Sequence, residues 1–188
     1  MPSGRLEVPA LPILIPLGVV LMVLASVVAH RRRVTAPGPL FAAWVAGWYA
    51  VAVVGATMLP LRIAWGPEAG GPELYRFLLV PVLTMRVDDF ILNIIMTVPL
   101  AAALRVVAGI RDRRRVVLIG FLISLSIETI QGLLLVFLHG DRWADVNDLM
   151  ANTLGAWLGW LIVVRGKGVA RTLDRWALLR QPEPLTRS

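Results

Sequence analysis

The 188-residue chain has no cysteine and only two histidines, and a single lysine, Lys167, stands among its 19 basic residues. Without cysteine there is no disulfide, no thiolate nucleophile and no Cys-based zinc or iron–sulfur site. The histidines, His30 and His139, lie far apart in sequence. No Ser–His or Cys–His catalytic pairing is apparent, and His139, in a short polar connection, reads as solvated. Charge is scarce as well. Charged residues make up 16% of the chain against 57% hydrophobic ones, and the mean hydropathy is +0.74. That balance is foreign to a soluble domain of this size and points to a membrane protein. The formal charge of +7 would suit nucleic acid only on a soluble basic face. Here the basic residues fall between apolar runs, so they read as topology signals and no nucleic-acid partner is expected.

A hydrocarbon core about 30 Å thick takes roughly 20 helical residues. Five stretches reach or approach that length, over 11–29, 40–61, 90–109, 116–138 and 146–164. The sequence therefore predicts an all-α, polytopic helix bundle forming one membrane domain over 1–188, multi-pass in the cell membrane. The segments after the first, third and fifth stretches hold 3, 5 (with Arg105) and 6 basic residues, 14 of the 19. By the positive-inside bias the N-terminus is outside and the C-terminus cytoplasmic. Cleavage of the first stretch as a signal peptide is not expected, because three arginines follow it directly. Residues 62–89 read as an external loop that dips into the interface, and 166–188 as a basic cytoplasmic tail. In that tail Val169, Leu173 and Trp176 share a helical face suited to anionic headgroups, although an ordinary topogenic tail explains it equally well.

Polar residues inside the apolar runs carry the functional signal. Glu128 falls about 18 Å along the fourth helix from Val116, near the midplane at 1.5 Å per residue. Ser124 and Gln131 share its face. A carboxyl there costs on the order of 3 kcal/mol, so it should face protein or water and have a partner. On the fifth helix Asp145, Asp148, Asn152, Gly155 and Gly159 are spaced three, four, three and four, forming one stripe. Asp145 and Asp148 stand where an N-cap and an N3 acid belong. Asn152 lies too deep for capping, and the glycines read as a helix-packing series. Arg142, just outside, offers a planar fork to a phosphate or carboxylate. On the third helix Asp89 and Asn93 share a face and Pro99 marks a kink; Asp88 and Asp89 also suit capping. The three polar faces are expected to meet in the outer half of the membrane.

These residues also carry a resemblance. Asp89, Asn93 and Pro99, then Ser124, Glu128 and Gln131, then Arg142, Asp145, Asp148, Asn152, Gly155 and Gly159 stand in an order and spacing similar to the VanZ-like family of bacterial membrane proteins. The likeness runs from about Val87 to Trp160. It departs at Pro99-Leu100-Ala101, where members often carry Pro-Leu-Gly. The resemblance implies an association with resistance to the glycopeptide teicoplanin and supplies no accepted reaction.

The expected function is binding of a lipid-linked or amphiphilic ligand in an outward-facing polar pocket formed by Asp89, Asn93, Ser124, Glu128, Gln131, Arg142, Asp145, Asp148 and Asn152. Partners would be membrane lipids and a lipid-linked cell-wall precursor or glycopeptide antibiotic. No cofactor is expected, with a divalent cation at Glu128, Asp145 and Asp148 as the open alternative in an intramembrane enzyme acting on a lipid phosphate. A small transporter with Glu128 as its ion site is the third reading.

Overall fold

The computed structural model describes residues 3–178. Helix α1 (Leu11–Arg31) and helix α2 (Pro37–Met58) pack side by side. Glycines let them approach closely: a Cβ on Gly18 would meet the Trp48 ring, one on Gly47 would meet Leu21 and one on Gly55 would meet Leu14. The Trp44 indole N–H donates across this seam to the Met22 carbonyl and to Ser26, each at 3.2 Å.

Helix α3 (Val87–Thr97) and helix α4 (Leu100–Ala108) are two halves of one apolar segment, interrupted at Val98 and Pro99. Proline has no amide hydrogen and clashes with the preceding turn, which ends α3. The Tyr49 hydroxyl donates to the Met96 carbonyl at this break at 3.0 Å. Gly109 closes α4 in the left-handed conformation, φ 66°, which glycine adopts without a Cβ penalty. Helix α5 (Arg113–Leu138) starts at Asp112, whose carboxylate accepts from the Arg115 N–H at 2.9 Å. Helix α6 (Val146–Arg165) leads into helix α7 (Lys167–Arg175) through a bend of 95°.

Counting α3 and α4 together, four helical segments among the described residues are long and apolar enough to cross a membrane, and α6 with α7 brings the number up to five. The exposed apolar side chains fit that reading. Ile15, Val19 and Val23 on α1 are all more than half exposed, a surface that water would not tolerate over such a length. The chain is an all-α membrane helix bundle.

Among the described residues, four short strands sit beyond the helices at the end opposite the arginine-rich connections. Strand β1 (Gly4–Val8) pairs antiparallel with β2 (Leu61–Trp65), Leu6 opposite Ile63. Strand β3 (Phe77–Leu78) pairs parallel with β4 (Ala144–Asp145). The 62–89 segment is therefore more structured than a loop. It contributes β2, single 3-10 turns at Pro67–Ala69 and Leu74–Arg76, strand β3 and the first residues of α3.

The tail also differs from its expected form. Leu173 packs against the buried cluster of Ala101, Val116 and Val163, and a Cβ on Gly38 would touch the Trp176 ring. Of the face read as resting on headgroups, Leu173 is thus packed against protein, while Val169 and Trp176 remain 52% and 38% exposed. Asp174 holds Arg105 through two hydrogen bonds of 2.7 and 2.8 Å and also pairs with Arg111 at 3.1 Å. The last ten residues of the expected tail lie outside the described residues.

Candidate functional site

The bundle centre forms where α6 packs against α3, α4 and α5. Ala151 and Ala156 on α6 are fully buried. A Cβ on Gly155 would stand 2.6 Å from the Ile94 carbonyl oxygen, and one on Gly159 would stand 2.0 Å from that of Val98. Only glycine fits there, so these two residues set the distance between α6 and the α3–α4 break. Just above, the Asn152 amide donates to the Ser124 hydroxyl at 3.0 Å, and its oxygen lies 2.6 Å from the Thr97 hydroxyl. The Thr97 hydroxyl oxygen is also 2.9 Å from the Asn93 carbonyl, an alternative acceptor for its proton. All three side chains are buried. They join α3, α5 and α6 as a polar lock, the kind of cross-helix hydrogen bonding that replaces hydrophobic driving force in lipid.

Above this floor a cavity of about 590 Å³ opens toward the strand-bearing end. Its walls bring together Asp89 and Asn93 from α3, Glu128 and Gln131 from α5, Asp145, Asp148 and Asn152 at the start of α6, and Arg142 from the connection before it. Ser124 does not line it; that hydroxyl is held below by Asn152. Pro99, Gly155 and Gly159 lie deeper, in the helix contact. Thr57, Arg86 and Trp143 line the cavity too and stood outside the expected set.

Each polar wall has a local cause. Asp145 caps α6, accepting from the Asn147 N–H and side-chain amide, both at 2.8 Å. Its own N–H donates to Glu128 Oε2 at 2.7 Å, which supplies the midspan carboxyl with a partner. Asp88 and Asp89 do not cap α3: Arg86 occupies the N-cap, and both acids, in the first turn, pair with its guanidinium at 3.9 and 3.1 Å. Arg142 donates through Nη2 to the Leu59 carbonyl. Gln131 donates to the Thr57 carbonyl at 2.7 Å, while its Oε1 is buried with no hydrogen-bond partner among the described residues. Among the described residues no group of three or more His, Cys, Asp or Glu side chains is arranged to hold a metal ion. Glu128, Asp145 and Asp148 all line the same cavity.

Two features of the rim were not legible in the polar spacing. Asn147 is almost fully buried, and its Oδ1 accepts from the Val82 N–H at 2.8 Å, which pins the turn before α3 onto the start of α6. The Arg76 guanidinium lies over the Tyr75 and Trp143 rings, 5.6 and 5.5 Å from their centroids, a favourable cation–aromatic arrangement. Hydrogen bonds from Arg76 and Tyr75 hold the Glu73 carboxyl below the usual carboxylate range. His139 is placed between two backbone carbonyls, 3.1 Å from Ala64 O and 3.0 Å from Gly70 O, and does not line the cavity.

Neither a curated protein nor a solved structure matches the chain. A family model described as VanZ/LLP1 matches residues 46–167. That span runs from within α2 to the first residue of α7 and contains every residue that lines the polar cavity. With the match covering well over half of its length, this membrane helix bundle belongs to the VanZ/LLP1 family.

Proposed function

We propose that the protein binds the charged head of an amphiphilic or lipid-linked molecule in the polar cavity, as a non-catalytic component of the bacterial cell envelope. The observation that carries this reading is the cavity itself. Two arginines and four acids line one space of about 590 Å³ inside an otherwise apolar bundle, a volume in the usual range for ligand sites. Ionisable groups are costly within a membrane and collect where they bind something. Arg142 supplies the anion-binding element, since its planar fork retains donors beyond the one given to Leu59. Asn93, Gln131 and Asp148 supply hydrogen-bonding groups at different depths. Gln131 Oε1 is buried and has no hydrogen-bond partner among the described residues, an unsatisfied polar atom in the wall of this cavity.

On this reading the cavity faces outward, because the arginine-rich connections at the opposite end are retained in the cytoplasm. It also agrees with a role in teicoplanin tolerance, since that antibiotic carries an acyl chain on a polar body. The test is a double-mutant cycle in a sensitive bacterial host, comparing teicoplanin susceptibility for Arg142→Ala, Glu128→Ala and the pair at matched protein levels. If both residues serve one pocket, the pair is little worse than either alone. Strictly additive losses, or single variants indistinguishable from the parent, return both residues to topology and packing.

A further inference from the structure

A second cavity, of about 470 Å³, lies between α2, α5 and the α3–α4 break. It shares Thr57, Met96, Ile127 and Asn152 with the polar cavity, so the two spaces adjoin through common walls. Its character is opposite. Ala50, Val53, Val54, Met58, Ile123 and Ile130 line it, and the few polar groups among its walls already have partners. The Tyr49 hydroxyl donates to Met96 O, Thr57 to Val53 O and Ser126 to Leu122 O, while Ser124, Asn152 and Thr97 form the buried lock. Nothing in this groove asks for water or a polar headgroup. Its outer edge is open to the side of the bundle, where Val54, Ile123 and Ile130 are 36%, 41% and 46% exposed.

We infer that the groove seats the hydrocarbon tail of the same amphiphile whose head occupies the polar cavity, and that the molecule enters sideways from the membrane between α2 and α5. The inference rests on the head-binding reading above and adds the substrate class: a single molecule with an anionic head and a hydrocarbon chain attached close to it. Hydrocarbon gains little by leaving lipid for the groove. The tail's part is therefore to orient the head and to bring its high local concentration in the bilayer to bear on the cavity.

The test uses the full chain in phosphatidylcholine nanodiscs and dodecyl phosphate with a photoreactive diazirine at the chain end as the probe. Labelling is expected to be saturable, to map to Ala50, Val53 and Ile123, and to be competed by unlabelled dodecyl phosphate about tenfold better than by butyl phosphate. Ala50→Trp, which fills the groove, should cut that chain-length advantage to the part that partition into the bilayer supplies by itself. Arg142→Ala should weaken both competitors on the order of tenfold. Partition into the bilayer is common to all variants and cancels. Saturable, Arg142-dependent labelling outside the groove overturns the tail seat and leaves the head reading standing, as does a chain-length advantage unchanged in Ala50→Trp. Absence of saturable labelling, or labelling indifferent to Arg142→Ala, removes the head reading and the tail seat together. Because the labelled positions are read in the unaltered chain, a folding defect in Ala50→Trp does not blunt the test.

Discussion

Replacing Gly159 by alanine tests whether the contact between α6 and the α3–α4 break holds the cavity in shape. The new Cβ would stand 2.0 Å from the Val98 carbonyl oxygen, where ordinary contact begins at 3.4 Å, so the two backbones must separate by about 1.4 Å. The obstructing atom is backbone and cannot rotate away. Overpacking of this kind costs about 1–3 kcal/mol, and the helix-propensity gain of roughly 1 kcal/mol for removing an interior glycine offsets part of it. Gly168 on α7 provides the control. A Cβ there meets nothing within 4 Å, so Gly168→Ala should be neutral or stabilising by up to about 1 kcal/mol. Unfolding of the purified protein in detergent micelles, followed by circular dichroism against temperature, should place Gly159→Ala below the parent and Gly168→Ala at or above it. Because Asp89 and Asn93 ride on α3, Gly159→Ala should also weaken binding in the polar cavity. A Gly159→Ala protein as stable as the parent would refute the packing argument.

Asp174→Asn should release α7 from α4, because it leaves Arg105, only 9% exposed, without its carboxylate; a loss on the order of 2 kcal/mol is expected. Faster amide exchange confined to Lys167–Arg175 would support this, and unchanged protection would show that the apolar contacts of Leu173 suffice. Reporter fusions at Asp112 and Gly140 should report cytoplasm and exterior respectively, and reports from the same side would contradict an odd number of crossings between the arginine-rich connection and the strand-bearing end.

The helices were legible because each is an apolar run bounded by charge, and the break at Pro99 because proline cannot continue a helix. Site residues on helices were legible through periodicity: Glu128 and Gln131 lie three apart, Asp145, Asp148 and Asn152 three and four apart, and each set shares a face. What periodicity does not carry is pairing between distant segments. GRLEV and LRIAW form a hairpin only because α1 and α2 return the chain to its starting end, and neither strand is long enough to declare itself alone. Asn147 stands two residues from Asp145, off the polar stripe, and its value lies in Val82, 65 residues away. Arg105 counted as one more topology charge, although its position is fixed by Asp174, 69 residues on. Thr57 had no polar neighbour at helical spacing that would single it out as a cavity wall, and Arg86, three residues before Asp89, stands outside the apolar runs and counted as one more topology charge. The spacing did place Ser124 on the right face, but depth decides its role, and depth follows from how closely Gly155 lets α3 approach.

Depth also divides the single stripe on α6 into parts that a mutational scan would otherwise confuse. Asp145 caps the helix and orients Asn147; Asn152 locks three helices; Gly155 and Gly159 set an interhelical distance. Loss of any of these would impair function through the scaffold and say nothing about ligand. Asp148, Glu128, Gln131 and Arg142 are the informative positions, and Glu128 allows the sharpest separation. Its Oε2 accepts from the Asp145 N–H, a bond that the amide oxygen of Glu128→Gln can also accept. The glutamine variant therefore keeps the contact between α5 and the start of α6 while removing the carboxylate from the cavity. If Glu128→Gln retains the parent's thermal stability but loses the Arg142-dependent binding, the charge serves the ligand. If it retains both, Glu128 is a packing group whose role is to hold the start of α6 against α5.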